Sequence, residues 1–175
     1  MDEKIITIFG SGKSNEADGD YKLAFELGKE LAQAGFTIAN GGYGGTMKAA
    51  AKGASKAGGD VIGVTCRVFG ANANQYVTKQ LSTDGLDERL EKLIEVANAF
   101  VVLPGSTGTL LELAKVWEFK NKGFLQPDKP VIIVGEFWEP LIALIAARDS
   151  QTRKYLKLLD SAEEVKKYLL NVFEN

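Results

Sequence analysis

The chain repeats one local pattern: a short apolar run, then glycine and small polar residues, then a stretch with apolar residues at helical spacing. Ile5–Phe9 runs into Gly10-Ser11-Gly12, and Phe36–Ala39 runs into Asn40-Gly41-Gly42-Tyr43-Gly44-Gly45. Ala99–Leu103 runs into Pro104-Gly105-Ser106-Thr107-Gly108-Thr109, and two further apolar runs stand at 60–65 and 130–135. Runs without polar alternation suit strands covered on both faces, and a strand–helix–strand crossover requires those strands to be parallel.

The intervening helices are legible from spacing. Ala24, Leu27, Leu31 and Ala32 predict a helix over 18–34, stopped by Gly35. A second, rich in Ala, Gly and Ser and suited to close packing, is expected over 46–57. Leu86, Leu90, Leu93, Ile94 and Ala97 share one face of a helix over 86–97. Further helices are expected over 110–122, over 138–148 with Pro140 in the first turn, and from the Ser161-x-x-Glu164 capping box to about Phe173. Trp117 reads as core or interface. Residues 66–84 have no clear period and read as a loop with a short extended piece near 76–81, and 155–159 as a last short strand. The expectation is one α/β domain over 1–175: a Rossmann-like three-layer fold with a mostly parallel central sheet and helices on both faces.

Composition excludes several functions. A net charge of −2 gives no general electrostatic reason to bind nucleic acid or an anionic membrane, so neither partner is expected. Met1-Asp2-Glu3-Lys4 lacks the basic-then-apolar start of a secretory leader, and no apolar run is long enough to span a bilayer. A cytoplasmic protein is expected. Cys66 is the single cysteine, which excludes an internal disulfide and a multi-cysteine metal cluster, and it reads as an incidental buried thiol. The chain has no histidine. Ser-His-Asp and Cys-His catalysis and His-ligated zinc all lose their central residue, so acid–base work falls to Asp, Glu, Lys, Tyr or Arg-assisted water, and no metal is expected.

Two nucleotide motifs fail on inspection. Gly12-Lys13-Ser14 imitates the end of a Walker A loop, but the first glycine of that motif would fall at Thr7. The dinucleotide fingerprint beginning at Gly10-x-Gly12 would need glycine or alanine at Asn15. The loop from Pro104 to Thr109 is instead a phosphate cradle in outline. Gly105 and Gly108 free the backbone, Ser106, Thr107 and Thr109 offer hydroxyls, and the following helix adds its N-terminal N–H groups. Glu112 has two readings. Thr109-x-x-Glu112 has the spacing of a capping box, which accounts fully for the glutamate, and a catalytic carboxylate is the other reading. Arg89 falls at the edge of its helix's apolar face, where an arginine commonly snorkels or pairs with a surface carboxylate.

Pro104-Gly105-Ser106-Thr107-Gly108-Thr109-Leu110-Leu111-Glu112 resembles the P-G-G-x-G-T-x-x-E motif of the LONELY GUY proteins, cytokinin riboside 5'-monophosphate phosphoribohydrolases whose relatives were long labelled lysine decarboxylase-like. Gly41-Gly42-Tyr43-Gly44-Gly45-Thr46-Met47 resembles the G-G-G-x-x-G-L-M loop of that family, with Thr46 in place of leucine. Leu86-Asp87-Glu88-Arg89 resembles its M-x-x-R-K segment, with Leu90 in place of lysine, and Ser106 stands for the second glycine of the main motif. The resemblance implies hydrolysis of the N-glycosidic bond of a nucleoside 5'-monophosphate to free base and ribose 5-phosphate, without cofactor. It implies Glu112 and Arg89 as catalytic residues. It also implies a phosphate and nucleotide site built from Gly10, Ser11, Gly42, Gly44, Gly45, Thr46, Pro104, Gly105, Ser106, Thr107, Gly108 and Thr109, and a homodimer. The alternative is a non-catalytic binder of a nucleotide or of molybdenum cofactor, favoured by the departures at Ser106 and Leu90. Lysine decarboxylation is the weakest reading, because no lysine has a reason to hold pyridoxal phosphate as a Schiff base.

Overall fold

The computed structural model describes residues 4–70 and 72–174; Met1–Glu3, on which the expectation about a leader partly rests, lie outside the described residues. Its strands are β1 (Ile5–Phe9), β2 (Thr37–Asn40), β3 (Val61–Cys66), β4 (Lys79–Thr83), β5 (Ala99–Val102), β6 (Val131–Val134) and β7 (Leu156–Leu159). Its helices are α1 (Gly19–Gln33), α2 (Gly45–Lys56), α3 (Leu86–Glu95), α4 (Thr107–Asn121), α5 (Glu139–Arg148) and α6 (Ala162–Glu174), with a 3-10 turn at Thr152–Tyr155.

The strands form one sheet in the order β4-β3-β2-β1-β5-β6-β7, and every neighbouring pair is parallel. The expected mostly parallel sheet is therefore wholly parallel. The five apolar runs are its interior strands β1, β2, β3, β5 and β6. The extended piece expected near 76–81 is the edge strand β4, displaced toward Thr83 and largely exposed, which is why it lacks an apolar signal. The short strand expected at 155–159 is the other edge, β7.

Side chains alternate between two cores, as period-two strands dictate. Ile6, Ile8, Val101 and Val134 face α1, α2 and α6, and pack with Leu27, Leu31, Ala50 and Val165. Phe9, Phe100, Val102 and Ile133 face α3, α4 and α5, and pack with Leu93, Leu113, Trp117 and Ile142. Each fully buried leucine or isoleucine among them is worth roughly 1.5–3 kcal/mol relative to exposure. The small residues expected to permit close packing do so between α1 and α2. A Cβ at Gly28 would lie 2.1 Å from the Ala50 carbonyl oxygen, and one at Gly53 would lie 2.0 Å from that of Phe25. Trp117 belongs to the core, its Nε1 donating to the Thr152 carbonyl at 2.9 Å.

Topology fixes where a ligand would bind. The chain winds outward from β1 through β2 to β4, then returns across the sheet to β5, which lies against the other side of β1. The carboxyl ends of β1 and β5 thus flank a topological switch point, the usual ligand crevice of an open parallel sheet. Trp138 pins one wall of it, donating Nε1–H to the Leu103 carbonyl at 3.0 Å immediately before Pro104. Among the described residues, no helix is long and apolar enough to cross a membrane.

Candidate active site

The loop after β5 turns into α4 with Ser106 as the N-cap residue, in extended conformation. This overturns the capping-box reading of Thr109 and Glu112. Thr109 is the third helical residue, buried at 3% exposure, and Glu112 lies on the second turn, beyond the backbone N–H groups that a cap satisfies. Gly105 makes room for Thr109, since a Cβ there would lie 2.2 Å from the Thr109 Oγ1. The first-turn N–H groups of α4 have no intrahelical acceptor and point with the positive end of the helix dipole into the crevice.

Arg89 approaches from α3. Its side chain turns inward rather than snorkelling and is 9% exposed. Nε donates to the Val64 carbonyl of β3 at 2.8 Å, and Nη2 lies 3.9 Å from the Met47 sulfur. The guanidinium carbon sits 5.6 Å from the Tyr43 ring centroid and 5.9 Å from that of Phe69. One nitrogen is left facing Glu112, with Nη1 and Oε1 4.0 Å apart and the glutamate side chain 15% exposed. Burial pushes the Glu112 carboxyl up from 4.5 to about 7, against the opposing pull of the Arg89 charge. At 4.0 Å the pair is close enough to feel each other's charge and too far for a good hydrogen bond, so desolvation wins.

The loop after β2 holds its shape largely through its own polar groups. Buried Asn40 accepts the Gly42 N–H at 2.8 Å and donates to the Met47 carbonyl at 3.0 Å. The Gly42 carbonyl accepts both the N–H and Nδ2 of Asn74, at 2.7 and 3.1 Å. Gly45 has φ +61°, and a Cβ there would lie 2.1 Å from the Ser11 carbonyl oxygen, which also accepts the Thr46 N–H at 2.8 Å. Gly10 lies against Thr46, whose Oγ1 would be 2.5 Å from an added Cβ.

These elements enclose a cavity of about 180 Å³ lined by Gly10, Gly12, Tyr43, Met47, Phe69, Arg89, Ser106, Gly108, Thr109 and Glu112. Of the residues singled out in the sequence, Gly10, Arg89, Ser106, Gly108, Thr109 and Glu112 meet there. Ser11, Gly42, Gly44, Gly45, Thr46, Pro104, Gly105 and Thr107 stand outside its lining. Gly42, Gly45 and Thr46 spend their backbone groups, or the room their missing Cβ leaves, on joining the loops to one another; Gly105 spends its own on Thr109. Gly12, Tyr43, Met47 and Phe69 are cavity residues that the sequence did not assign to the site. Tyr43 stands among the glycines of the β2 loop and Met47 just after them. Phe69 lies in a stretch without periodicity and had no signal. A larger groove of about 860 Å³ lies at the opposite edge of the sheet, where β6 and β7 begin, away from the carboxylate–guanidinium pair. Among the described residues, no three His, Cys, Asp or Glu side chains gather in a way that could hold a metal ion.

Fold and site together define a Rossmann-like α/β protein with a cleft at the carboxyl edge of its sheet that holds a buried carboxylate and guanidinium. A family model described as "Possible lysine decarboxylase" matches residues 47–169, and the chain belongs to that family. An uncharacterized protein of Archaeoglobus fulgidus is 32% identical over 131 residues, covering 74% of this chain and 83% of that protein. A cytokinin riboside 5'-monophosphate phosphoribohydrolase of Mycobacterium tuberculosis is 35% identical over 117 residues, covering 65% of this chain and 61% of the relative. The chain thus spans less than two thirds of the length of that relative. Among solved structures, the molybdenum cofactor binding protein of Rippkaea orientalis shares the fold, with a TM-score of 0.82 at 24% identity over 99% of both chains.

Proposed function

We propose that this protein hydrolyses the N-glycosidic bond of a nucleoside 5'-monophosphate, releasing the free base and ribose 5-phosphate, and that it does so in the cytoplasm. The observation that carries the reading is the buried Glu112 beside Arg89, 4.0 Å apart at the foot of a helix N-terminus. The mycobacterial relative with a phosphoribohydrolase name supports it.

In this reading the 5'-phosphate lies against the first turn of α4, where Ser106, Gly108 and Thr109 line the cavity. That places the ribose toward Glu112. As the bond from C1' to the base breaks, its electron pair leaves with the base nitrogen and positive charge develops on the sugar, which the carboxylate stabilises. Glu112 also orients a water and takes its proton as the oxygen bonds to C1'; the departing base gains a proton from solvent. A carboxyl titrating near 7 is well matched to that task at neutral pH. Arg89, held by Val64, keeps the carboxylate ionisable by its charge.

The working unit in this reading is a homodimer. The α5 sequence Glu-Pro-Leu-Ile-Ala-Leu-Ile-Ala-Ala-Arg is apolar on nearly every side, yet only Ile142 is fully buried, and Leu144 is 70% exposed. A helix with that composition wants cover on both faces.

The test is chromatographic. Incubation with a panel of nucleoside 5'-monophosphates should release base and ribose 5-phosphate, and a folded Glu112→Gln protein should not. A second reading is a carrier of molybdenum cofactor, favoured by the end-to-end match to the Rippkaea protein and by Ser106 in place of glycine. Binding of that cofactor without base release from any nucleotide would select it.

A further inference from the structure

The cavity that holds Arg89 and Glu112, at about 180 Å³, falls below the roughly 300 Å³ at which pockets for drug-sized ligands begin. It has room for a sugar phosphate, and the base of a nucleotide would have to emerge at its mouth. Phe69 stands there. It lines the cavity yet keeps 57% of its surface exposed, an expensive position for a phenylalanine with nothing to cover it.

This ring is held in place. Tyr43 meets it edge to face, with centroids 6.3 Å apart and planes at 83°. The Tyr43 hydroxyl ties down the turn that carries Phe69: it accepts the Cys66 N–H at 2.7 Å and directs its proton toward the carbonyls of Cys66 and Gly70, at 2.8 and 2.9 Å. The Arg89 guanidinium packs over Phe69 at 5.9 Å. An aromatic ring braced by a second ring and a cation, with much of its surface open, is a stacking platform for a flat aromatic ligand.

The remaining side chains say what such a platform can read. Among the described residues, no Asn, Gln or Asp lines the cavity, and the Tyr43 hydroxyl is already spent on backbone. In the proposed pose the other polar side chains of the cavity, Ser106, Thr109, Arg89 and Glu112, are taken up by the sugar phosphate.

We propose that Phe69 is the specificity-determining residue of this site, stacking on the nucleobase so that the protein recognises the base by its aromatic face and not by its edge. The proposal rests on the reading that the site takes a nucleoside 5'-monophosphate, and it concerns binding, so it is separable from hydrolysis.

The experiment measures dissociation constants by calorimetry in the Glu112→Gln protein, with Phe69 intact, changed to Ala, or changed to Trp, for AMP, IMP and ribose 5-phosphate. Phe69→Ala should weaken AMP and IMP alike, by about 5- to 150-fold, the range of a lost base–aromatic stack. Ribose 5-phosphate, which has no base, should bind unchanged, and Phe69→Trp should restore both nucleotides. With Phe69 intact, AMP and IMP should lack the roughly tenfold difference that a read hydrogen bond gives. Equal weakening of ribose 5-phosphate would overturn the proposal, because Phe69 would then act only through Arg89. So would a nucleotide affinity indifferent to Phe69→Ala, a strong preference between AMP and IMP, or no binding of either nucleotide. If the wild-type protein releases no base while the binding pattern holds, the hydrolase reading fails and the stacking platform stands.

Discussion

Gly41 and Arg89 compete for one volume: a Cβ at residue 41 would lie 1.7 Å from the Arg89 Nη2, and 2.6 Å from the Met47 sulfur. The absence of a side chain at Gly41 is what lets the guanidinium pass beneath the β2 loop to reach Val64 and face Glu112. Gly41→Ala should therefore expel the Arg89 side chain without stopping the chain from folding, because both displaced atoms are the ends of flexible side chains. We expect a stability loss of about 1.5–3 kcal/mol, the scale of a hydrogen bond to a charged group, and a loss of base release out of proportion to it. Denaturant melts alongside turnover would check this; unchanged turnover would mean that Arg89 needs no such clearance.

Gly45→Ala should behave in the opposite way. Here φ is +61°, and the added Cβ would meet the Ser11 carbonyl oxygen at 2.1 Å and the Gly12 carbonyl carbon at 2.5 Å, all of it backbone. Neither the left-handed conformation nor the backbone contact relaxes cheaply. The midpoint of unfolding should fall by more than in Gly41→Ala, with ligand binding lost only in step with folded protein. Equal midpoints for the two variants would show that the β1 and β2 loops separate freely.

The Glu112 carboxyl, raised from 4.5 to about 7 by burial, makes a signed prediction for stability. Below about pH 4.5 the group is protonated in folded and unfolded chains alike and costs nothing. Between about 4.5 and about 7 the unfolded chain ionises while the folded chain holds its proton, so stability falls across that window, by on the order of 3 kcal/mol for a shift of this size, and levels off above about 7. Glu112→Gln removes that loss. The difference in unfolding free energy between variant and wild type should move in favour of the variant from pH 4.5 to 8, as read by urea titrations at each pH. A flat difference would mean that Glu112 is not desolvated.

In the proposed hydrolysis the same carboxyl would set the pH dependence. If ionised Glu112 is the base, kcat/KM should rise with pH and level off above about 7. Removing the Arg89 charge in Arg89→Gln should move the profile to higher pH, since that charge is what lowers the Glu112 value. Arg89→Lys should not restore full activity, because an ammonium cannot donate to Val64 from one nitrogen while a second nitrogen carries charge toward Glu112. A profile unmoved in Arg89→Gln would uncouple the two residues.

Leu144, 70% exposed on α5, tests the proposed dimer. Leu144→Glu leaves the cores untouched, so the unfolding free energy of the separated chain should change by no more than about 0.5 kcal/mol. Sedimentation should shift from dimer to monomer. A dimer unaffected by this charge would place the interface elsewhere.

The sequence determined the architecture. Interior strands of a parallel sheet are covered on both sides, so β1, β2, β3, β5 and β6 had to be continuous apolar runs, and those runs are visible without coordinates. The edge strand β4 escaped the same reading, because Lys79, Gln80 and Ser82 face solvent and leave no apolar signature. The sequence also placed Glu112 and Arg89 in the right elements, but by spacing alone it could not separate a cap from a buried carboxylate. That was decided by where α4 starts: with Ser106 as its N-cap, Glu112 falls a turn and a half in, on the side that faces α3.

What only the tertiary structure decided is the set of contacts between loops. Gly41, Tyr43 and Phe69 gain their meaning from Arg89, which reaches them from a helix far along the chain. Several glycines singled out for a ligand, Gly42 and Gly45 among them, also seat one loop against another. Periodicity records which face of an element is dry, because that depends on local spacing. It does not record which distant side chain will fill the space a missing Cβ leaves, because that depends on how the strands are ordered in the sheet.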